Sequence, residues 1–201
     1  MSFRKEEKLK IDKSKLFSLY DWIVKNGGYE LYPSRIVSST YFDNDMYNMY
    51  QDSEEGVVPR KKIRVRSYAN IKHSQNNSTL EMKISSVEGR YKTQDKVVNL
   101  EKLFNYGMFD VDYGVVKPVV RVSYVREYYK INKIRLTIDR DIQYSSLDLL
   151  FNNNRSVFDE DIIVELKAGN QVSNEFLNRS FPFDRVRFSK YSRSISLLQI
   201  K

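Results

Sequence analysis

Cysteine is absent from this 201-residue chain, and histidine occurs once, as His73. Without thiols there is neither a disulfide framework nor a thiolate metal site, and a reducing compartment suits the composition. The lone histidine lies in the polar run Lys72-His73-Ser74-Gln75-Asn76-Asn77, which reads as a surface loop. This argues against a Ser-His-Asp triad or a His-ligated zinc. Only 7 glycines and 4 prolines are present, and they form no linker-like stretch. Neither G-x-x-x-x-G-K-[ST] nor G-x-G-x-x-G occurs, so a nucleoside triphosphate has to be held by side chains rather than by a phosphate loop. No segment approaches the roughly 20 apolar residues that span a bilayer, and the opening Met1-Ser2-Phe3-Arg4-Lys5-Glu6 lacks the apolar run of a secretory leader. The expectation is a soluble cytoplasmic protein.

What is abundant is positive charge and aromatic side chains. Lys and Arg total 34 against 26 Asp and Glu, a formal charge of +8, so an anionic partner is expected. A hydrophobic share of 41%, with 15 Tyr and 11 Phe, supplies a packed core. The length suits one domain over residues 1–201.

The charge is patterned. In Lys62-Ile63-Arg64-Val65-Arg66 the cations alternate with apolar residues, so a strand sends Lys62, Arg64 and Arg66 to one face and Ile63 and Val65 to the other. The same rhythm recurs in Arg4–Lys8, Thr79–Lys83, Ile134–Asp139 and Ile163–Lys167. Further strands are expected over Ile36–Phe42, Val119–Tyr129 and Val186–Lys190. Helices are expected after Asp12 or Ser14, with Leu16, Leu19, Tyr20 and Ile23 on one stripe, after Asn99, and over Ser173–Arg179 before Pro182. Met46–Tyr50 reads as a short helical or irregular piece, and Trp22, off the helical stripe, as a packing residue. Strands outnumber helices without strict alternation, which predicts an antiparallel α+β barrel with flanking helices.

A face lined by Lys62, Arg64, Arg66, Lys83, Arg126, Arg135 and Lys190 repels itself. Two cations about 7 Å apart cost about 2 kcal/mol at an effective dielectric near 20, so several pairs rival a domain's stability of about 5–15 kcal/mol. A polyanion removes that cost. Glu6, Glu81 and Glu165 stand among the cations as candidate ligands for Mg2+ or Mn2+, which prefer hard oxygen donors. Glu6 and Glu81 serve equally well as ion-pair partners. Phosphoryl transfer asks of a protein mostly alignment and charge neutralisation, and needs no histidine or cysteine. Tyr41 and Phe42 read as core residues, Asp43 and Asp45 as turn formers.

Eight segments, in order, resemble the VTC domain, a polyphosphate polymerase family of the triphosphate tunnel (CYTH-like) superfamily. They are Arg4-Lys5-Glu6-Glu7-Lys8, Ser39-Thr40-Tyr41-Phe42-Asp43, Lys62–Arg66, Glu81-Met82-Lys83, Tyr124-Val125-Arg126, Ile134–Asp139, Glu165-Leu166-Lys167 and Phe188-Ser189-Lys190-Tyr191. Related triphosphatases and cyclases open with E-x-E-x-K, and Arg4 in place of the first glutamate favours the VTC branch.

The resemblance implies an antiparallel tunnel in which the ATP γ-phosphoryl group moves onto a growing polyphosphate chain. It assigns Lys8, Arg64, Arg66, Lys83, Arg126, Arg135 and Lys190 to the phosphates and Glu165 to the metal. Tyr124 orients a phosphate, while Lys62, Lys92 and Lys167 are further substrate contacts, Lys92 on a loop after the E-x-K strand. Product translocation requires a separate membrane partner. An inorganic triphosphatase and a non-catalytic polyphosphate-binding module are the alternatives. Nucleic acid is not expected, because no RNP-like or KH motif interleaves aromatics with the cations.

Overall fold

The computed structural model describes residues 4–69, 78–147, 155–173, 175, 177, 181 and 183–200. The loop expected around Lys72 and His73, a loop expected at Asn152–Asn154, Pro182 and most of the helix expected over Ser173–Arg179 lie outside the described residues.

Ten strands and four α-helices are found among the described residues. The strands are β1 (Arg4–Ile11), β2 (Tyr29–Asp43), β3 (Arg60–Ala69), β4 (Thr79–Ser86), β5 (Gly89–Lys96), β6 (Met108–Asp110), β7 (Gly114–Ile131), β8 (Ile134–Ser146), β9 (Ser156–Asp159) and β10 (Ile162–Gly169). The helices are α1 (Leu16–Lys25), α2 (Asn48–Glu55), α3 (Leu100–Tyr106) and α4 (Lys190–Leu198). No helix among the described residues is long and apolar enough to cross a membrane.

The chain divides into two compact units. Unit 1 takes Met1–Ile36, Tyr124–Ile142 and Asp159–Phe188, and unit 2 takes Val37–Ser123, Gln143–Phe158 and Ser189–Lys201.

In unit 1, β1, β10 and β8 are neighbours in that order, all antiparallel. The register pairs Glu6 with Lys167 and Lys8 with Glu165, then Lys167 with Arg135 and Glu165 with Thr137. Strand alternation therefore gathers these residues on one face. The opposite face carries Leu9, Ile11, Leu136, Ile138, Val164 and Leu166, which are buried with Leu19 and Ile23 of α1. Each such burial contributes about 1.5–3 kcal/mol. Helix α1 follows the expected stripe, with a 3-10 turn over Lys13–Lys15 ahead of it. Trp22 packs its ring 4.5 Å from that of Phe181. Gly28 fits where no larger residue does, since a Cβ would lie 2.5 Å from Ile23 and 2.8 Å from Ile131 side-chain atoms.

In unit 2, β3, β4 and β5 form an antiparallel run. Here Lys62 pairs with Lys83 and Arg64 with Glu81, while Lys83 pairs with Lys92 and Glu81 with Gln94. Ile63 and Val65 point the other way and are buried. Asn99 caps α3 as expected, its Oδ1 accepting from the Lys102 N–H at 2.8 Å.

Three expectations are corrected. Residues 89–96 are strand β5, so Lys92 stands on a strand and not on a loop. Val186–Lys190 is no strand: Arg185 makes a single bridge to Leu9, and Lys190 opens α4 behind an N-cap from Ser189, whose side chain accepts from the Ser192 N–H. The reading of Asp43 as a turn former misses its main part, for it is buried at 1% exposed. Its carboxylate accepts from the N–H groups of Met49 and Tyr50 at 3.0 Å each, tying down the first turn of α2, and from the Tyr191 hydroxyl of α4.

Asp43→Ala leaves two helical N–H groups and a buried hydroxyl without an acceptor. A loss of about 2–4 kcal/mol in urea-unfolding free energy, with an unchanged slope, is expected.

Candidate functional site

The polar face of β3, β4 and β5 in unit 2 is organised by one carboxylate. Glu81 is 3% exposed, and both of its oxygens are engaged. Arg64 donates to Oε2 from Nε at 2.7 Å, with Nη2 at 2.5 Å, and Arg66 Nη1 lies 3.9 Å away. Lys92 Nζ and Gln94 Nε2 each donate to Oε1 at 2.7 Å. Burial alone would push the Glu81 carboxyl up, but Arg64 and Arg66 outweigh it and bring the value from 4.5 down to about 2. Glu81 therefore stands as the fixed counter-charge of three cations. With both oxygens occupied by nitrogen donors, it does not fit a metal.

The arginines are aimed from behind by β2. Ser39 Oγ accepts from Arg66 Nε at 3.1 Å, and Tyr41 Oη accepts from Arg64 Nη1 at 3.1 Å. Ser39, Tyr41 and Asp43 occupy alternate positions, so one face of the S-x-Y-x-D stretch holds Arg66, Arg64 and the α4 residue Tyr191 in succession. Lys62 Nζ donates to Ser189 Oγ at 2.8 Å, one residue before Lys190. Lys83, between Lys62 and Lys92 in the register, is exposed.

The polar face of unit 1 centres on Glu165. Lys167 Nζ lies 2.8 Å from its Oε1, and Arg126 Nη2 lies 3.9 Å from Oε2. Arg126 is held by a two-pronged pair with Asp139, at 2.6 and 2.7 Å, and stands 5.2 Å from the ring centre of buried Tyr124. Burial opposes the charge on Arg126, but Asp139 overrides it and keeps the guanidinium protonated. Glu165, pushed up by burial, is drawn well below the usual carboxylate range by Lys167, by its hydrogen bond with Glu6, and by Arg126. Lys8, paired in register with Glu165, donates from Nζ to the Phe188 carbonyl at 2.6 Å, and Arg135 is exposed beside Lys167 in the register.

Glu6 stands beside Glu165 and interacts with its carboxylate, so two carboxylates lie close together on this face. Next to Glu165 in the register is Thr137, 4% exposed, whose Oγ1 has no hydrogen-bond partner. This set of hard oxygens fits a divalent cation of the Mg2+ or Mn2+ type. Among the described residues no group of three or more His, Cys, Asp or Glu clusters around one point, so phosphate oxygens or water would complete the coordination.

Sequence reasoning missed Ser39, Tyr41, Asp43 and Asp139 as supporting residues. On β2 the period-two spacing of Ser39, Tyr41 and Asp43, which puts the three on one face, is the signal that marks them.

The fold belongs to the triphosphate tunnel class of antiparallel α+β proteins. A candidate adenylate cyclase from Bacillus halodurans has a similar structure, with TM-score 0.63 and 15% identity over 96% of this chain and 97% of that one. A second, from Vibrio parahaemolyticus, has TM-score 0.56 and 12% identity over 97% and 98%. A Hippeastrum protein, a candidate adenylyl cyclase with dominant triphosphatase activity, has TM-score 0.53 and 12% identity over 96% of each chain. No curated protein sequence matches the chain. The VTC domain family does, over residues 3–110 and 99–199, and the chain belongs to that family.

Because the Glu81 carboxyl is held down in the fold, its stabilising effect is complete above about pH 4.5 and fades as pH falls toward 2. Glu81→Gln should lose about 3 kcal/mol at neutral pH in urea unfolding, and the gap from the parent should narrow steadily below about pH 4.

Proposed function

We propose that the protein is a divalent-metal-dependent polyphosphate polymerase, which moves the γ-phosphoryl group of ATP onto the end of a growing inorganic polyphosphate chain. The observation that carries this is the group of three cations, Arg64, Arg66 and Lys92, that share the one carboxylate of Glu81. These cations are fixed in place before a ligand arrives, and preset positive charge is what an anionic, loosely bonded transition state rewards.

In the transfer, the bond between the γ-phosphorus and the β–γ bridging oxygen breaks, ADP leaves with the electron pair, and a terminal chain oxygen forms the new P–O bond. Arg64, Arg66 and Lys92 bind phosphate oxygens. Arg126, fixed by Asp139 and braced by Tyr124, presents a guanidinium whose charge does not titrate. Lys8, Lys62, Lys83, Arg135, Lys167 and Lys190 carry the charge of further phosphates. When bound, Mn2+ or Mg2+ neutralises charge on phosphate oxygens, and Glu165 and Glu6 would hold it. Glu81 takes the part of counter-charge that the sequence left open for it.

Hydrolysis of triphosphate is the second reading, favoured by the dominant triphosphatase activity of the Hippeastrum relative, and it uses the same residues with water as acceptor. Polyphosphate binding without turnover is the third. ATP, triphosphate and polyphosphate are the proposed partners, with a cytoplasmic location and a separate membrane protein for any export.

Incubation with ATP and Mn2+ should yield long polyphosphate on a stained gel. Orthophosphate release from tripolyphosphate without polymer selects the triphosphatase, and neither product from a folded, triphosphate-binding protein selects the binding module. Glu165→Gln should lower turnover at least about 100-fold while leaving the melting transition in place. Full activity in that variant refutes the metal assignment.

A further inference from the structure

Tyr41 is unlike the core tyrosine its sequence context suggests. It is 5% exposed and stacks on Tyr191, with ring centres 5.2 Å apart and planes at 20°. Yet its hydroxyl meets the guanidinium of Arg64, whose Cζ stands 5.8 Å from the ring centre. The five N–H groups of a guanidinium lie in one plane, so contacts on two sides fix that plane. Glu81 takes the Nε and Nη2 side and Tyr41 the Nη1 side.

The surroundings of Tyr41 are cationic from two elements. Strand β3 brings Arg64 and Arg66, and α4 brings Lys190. The nearby acids are already engaged: Glu81 of β4 with Arg64 and Lys92, and Asp43 of β2 with the Tyr191 hydroxyl and the α2 backbone. Tyr50 of α2 meets Tyr191 edge-on at 6.4 Å.

We propose that Tyr41 is the positioning residue for Arg64 and, in mildly alkaline solution, a counter-anion of this cluster: its phenol oxygen aims the guanidinium, carries negative charge there when no phosphate chain is bound, and takes up a proton when one binds. The proposal rests on the phosphate-handling function proposed above and adds to it a linked proton. Burial alone would raise the Tyr41 hydroxyl, but Arg64, Arg66 and Lys190 lower it from 10.0 to about 8. A phosphate chain on the same cations supplies competing negative charge, which favours the neutral phenol. The proton comes from solvent, and no bond other than O–H is made.

The test is metal-free calorimetric titration of the full chain with tripolyphosphate, comparing the parent with Tyr41→Phe at about pH 7, 8 and 9. The phenyl ring keeps the stack on Tyr191, so the variant is expected to melt as the parent does. At pH 7 it should bind several-fold more weakly, because Arg64 has lost the hydroxyl that holds its Nη1 side. Between pH 7 and 9 the ratio of parent to variant affinity should fall about tenfold, since only the parent must protonate a phenolate to bind. In the parent near pH 8, tripolyphosphate should also erase a tyrosinate band in the near-ultraviolet and give a heat that depends on the buffer's own ionisation. That spectroscopic change decides the matter even if the variant fails to fold.

A pH-independent ratio with no loss of tyrosinate overturns the proposal and leaves the phosphate-binding function standing. A parent that does not bind tripolyphosphate at any of these pH values overturns both.

Discussion

The pair between Arg64 and Glu81 is the interaction on which unit 2 depends. Strand geometry sends every second residue to the same face, so a sequence such as Lys62-Ile63-Arg64-Val65-Arg66 concentrates like charge as surely as it concentrates apolar surface on the reverse. The apolar side folds the sheet through Ile63 and Val65, and the polar side works against it. Placing a carboxylate opposite Arg64 in the register, at Glu81, makes that side tolerable. Glu81 faces Arg64, Arg66 and Lys92 together.

Unit 1 handles a similar problem with a different outcome. Its Arg126 pairs with Asp139, whose two oxygens take Nε and Nη2. That leaves Glu165 less crowded than Glu81. Its near partners are Lys167 at 2.8 Å and Glu6, with Arg126 only at 3.9 Å. The two glutamates look alike in sequence, each in an E-x-K strand, and their neighbours separate them into a saturated counter-charge and an oxygen-donor site beside an unpartnered threonine hydroxyl.

Much of this was legible in the chain. Period-two alternation gave the strands and their two faces, since β3, β4 and β10 place charged and apolar residues as the pattern requires. Strand β5 escaped because Gly89–Lys96 is polar along almost its whole length, with nothing apolar to mark a buried face, and it forms by hydrogen-bonding to β4. Lys190 was placed on a strand because local sequence does not show that Ser189 caps a helix there. Asp43 read as a turn former because its partner Tyr191 lies 148 residues away. Tyr41 read as core because its burial is real. Only the fold shows that its oxygen meets an arginine.

The central claim is that these cationic faces exist to hold linked phosphates. Thermal unfolding of the metal-free protein with tripolyphosphate, orthophosphate or sulfate, at low and high salt, tests it most directly. Tripolyphosphate at about 100 times its dissociation constant should stabilise the fold by about 2.7 kcal/mol, with a gain that shrinks as salt rises, while the single anions at equal ionic strength do little. Equal effects from all three anions, or no stabilisation by tripolyphosphate, would contradict the account.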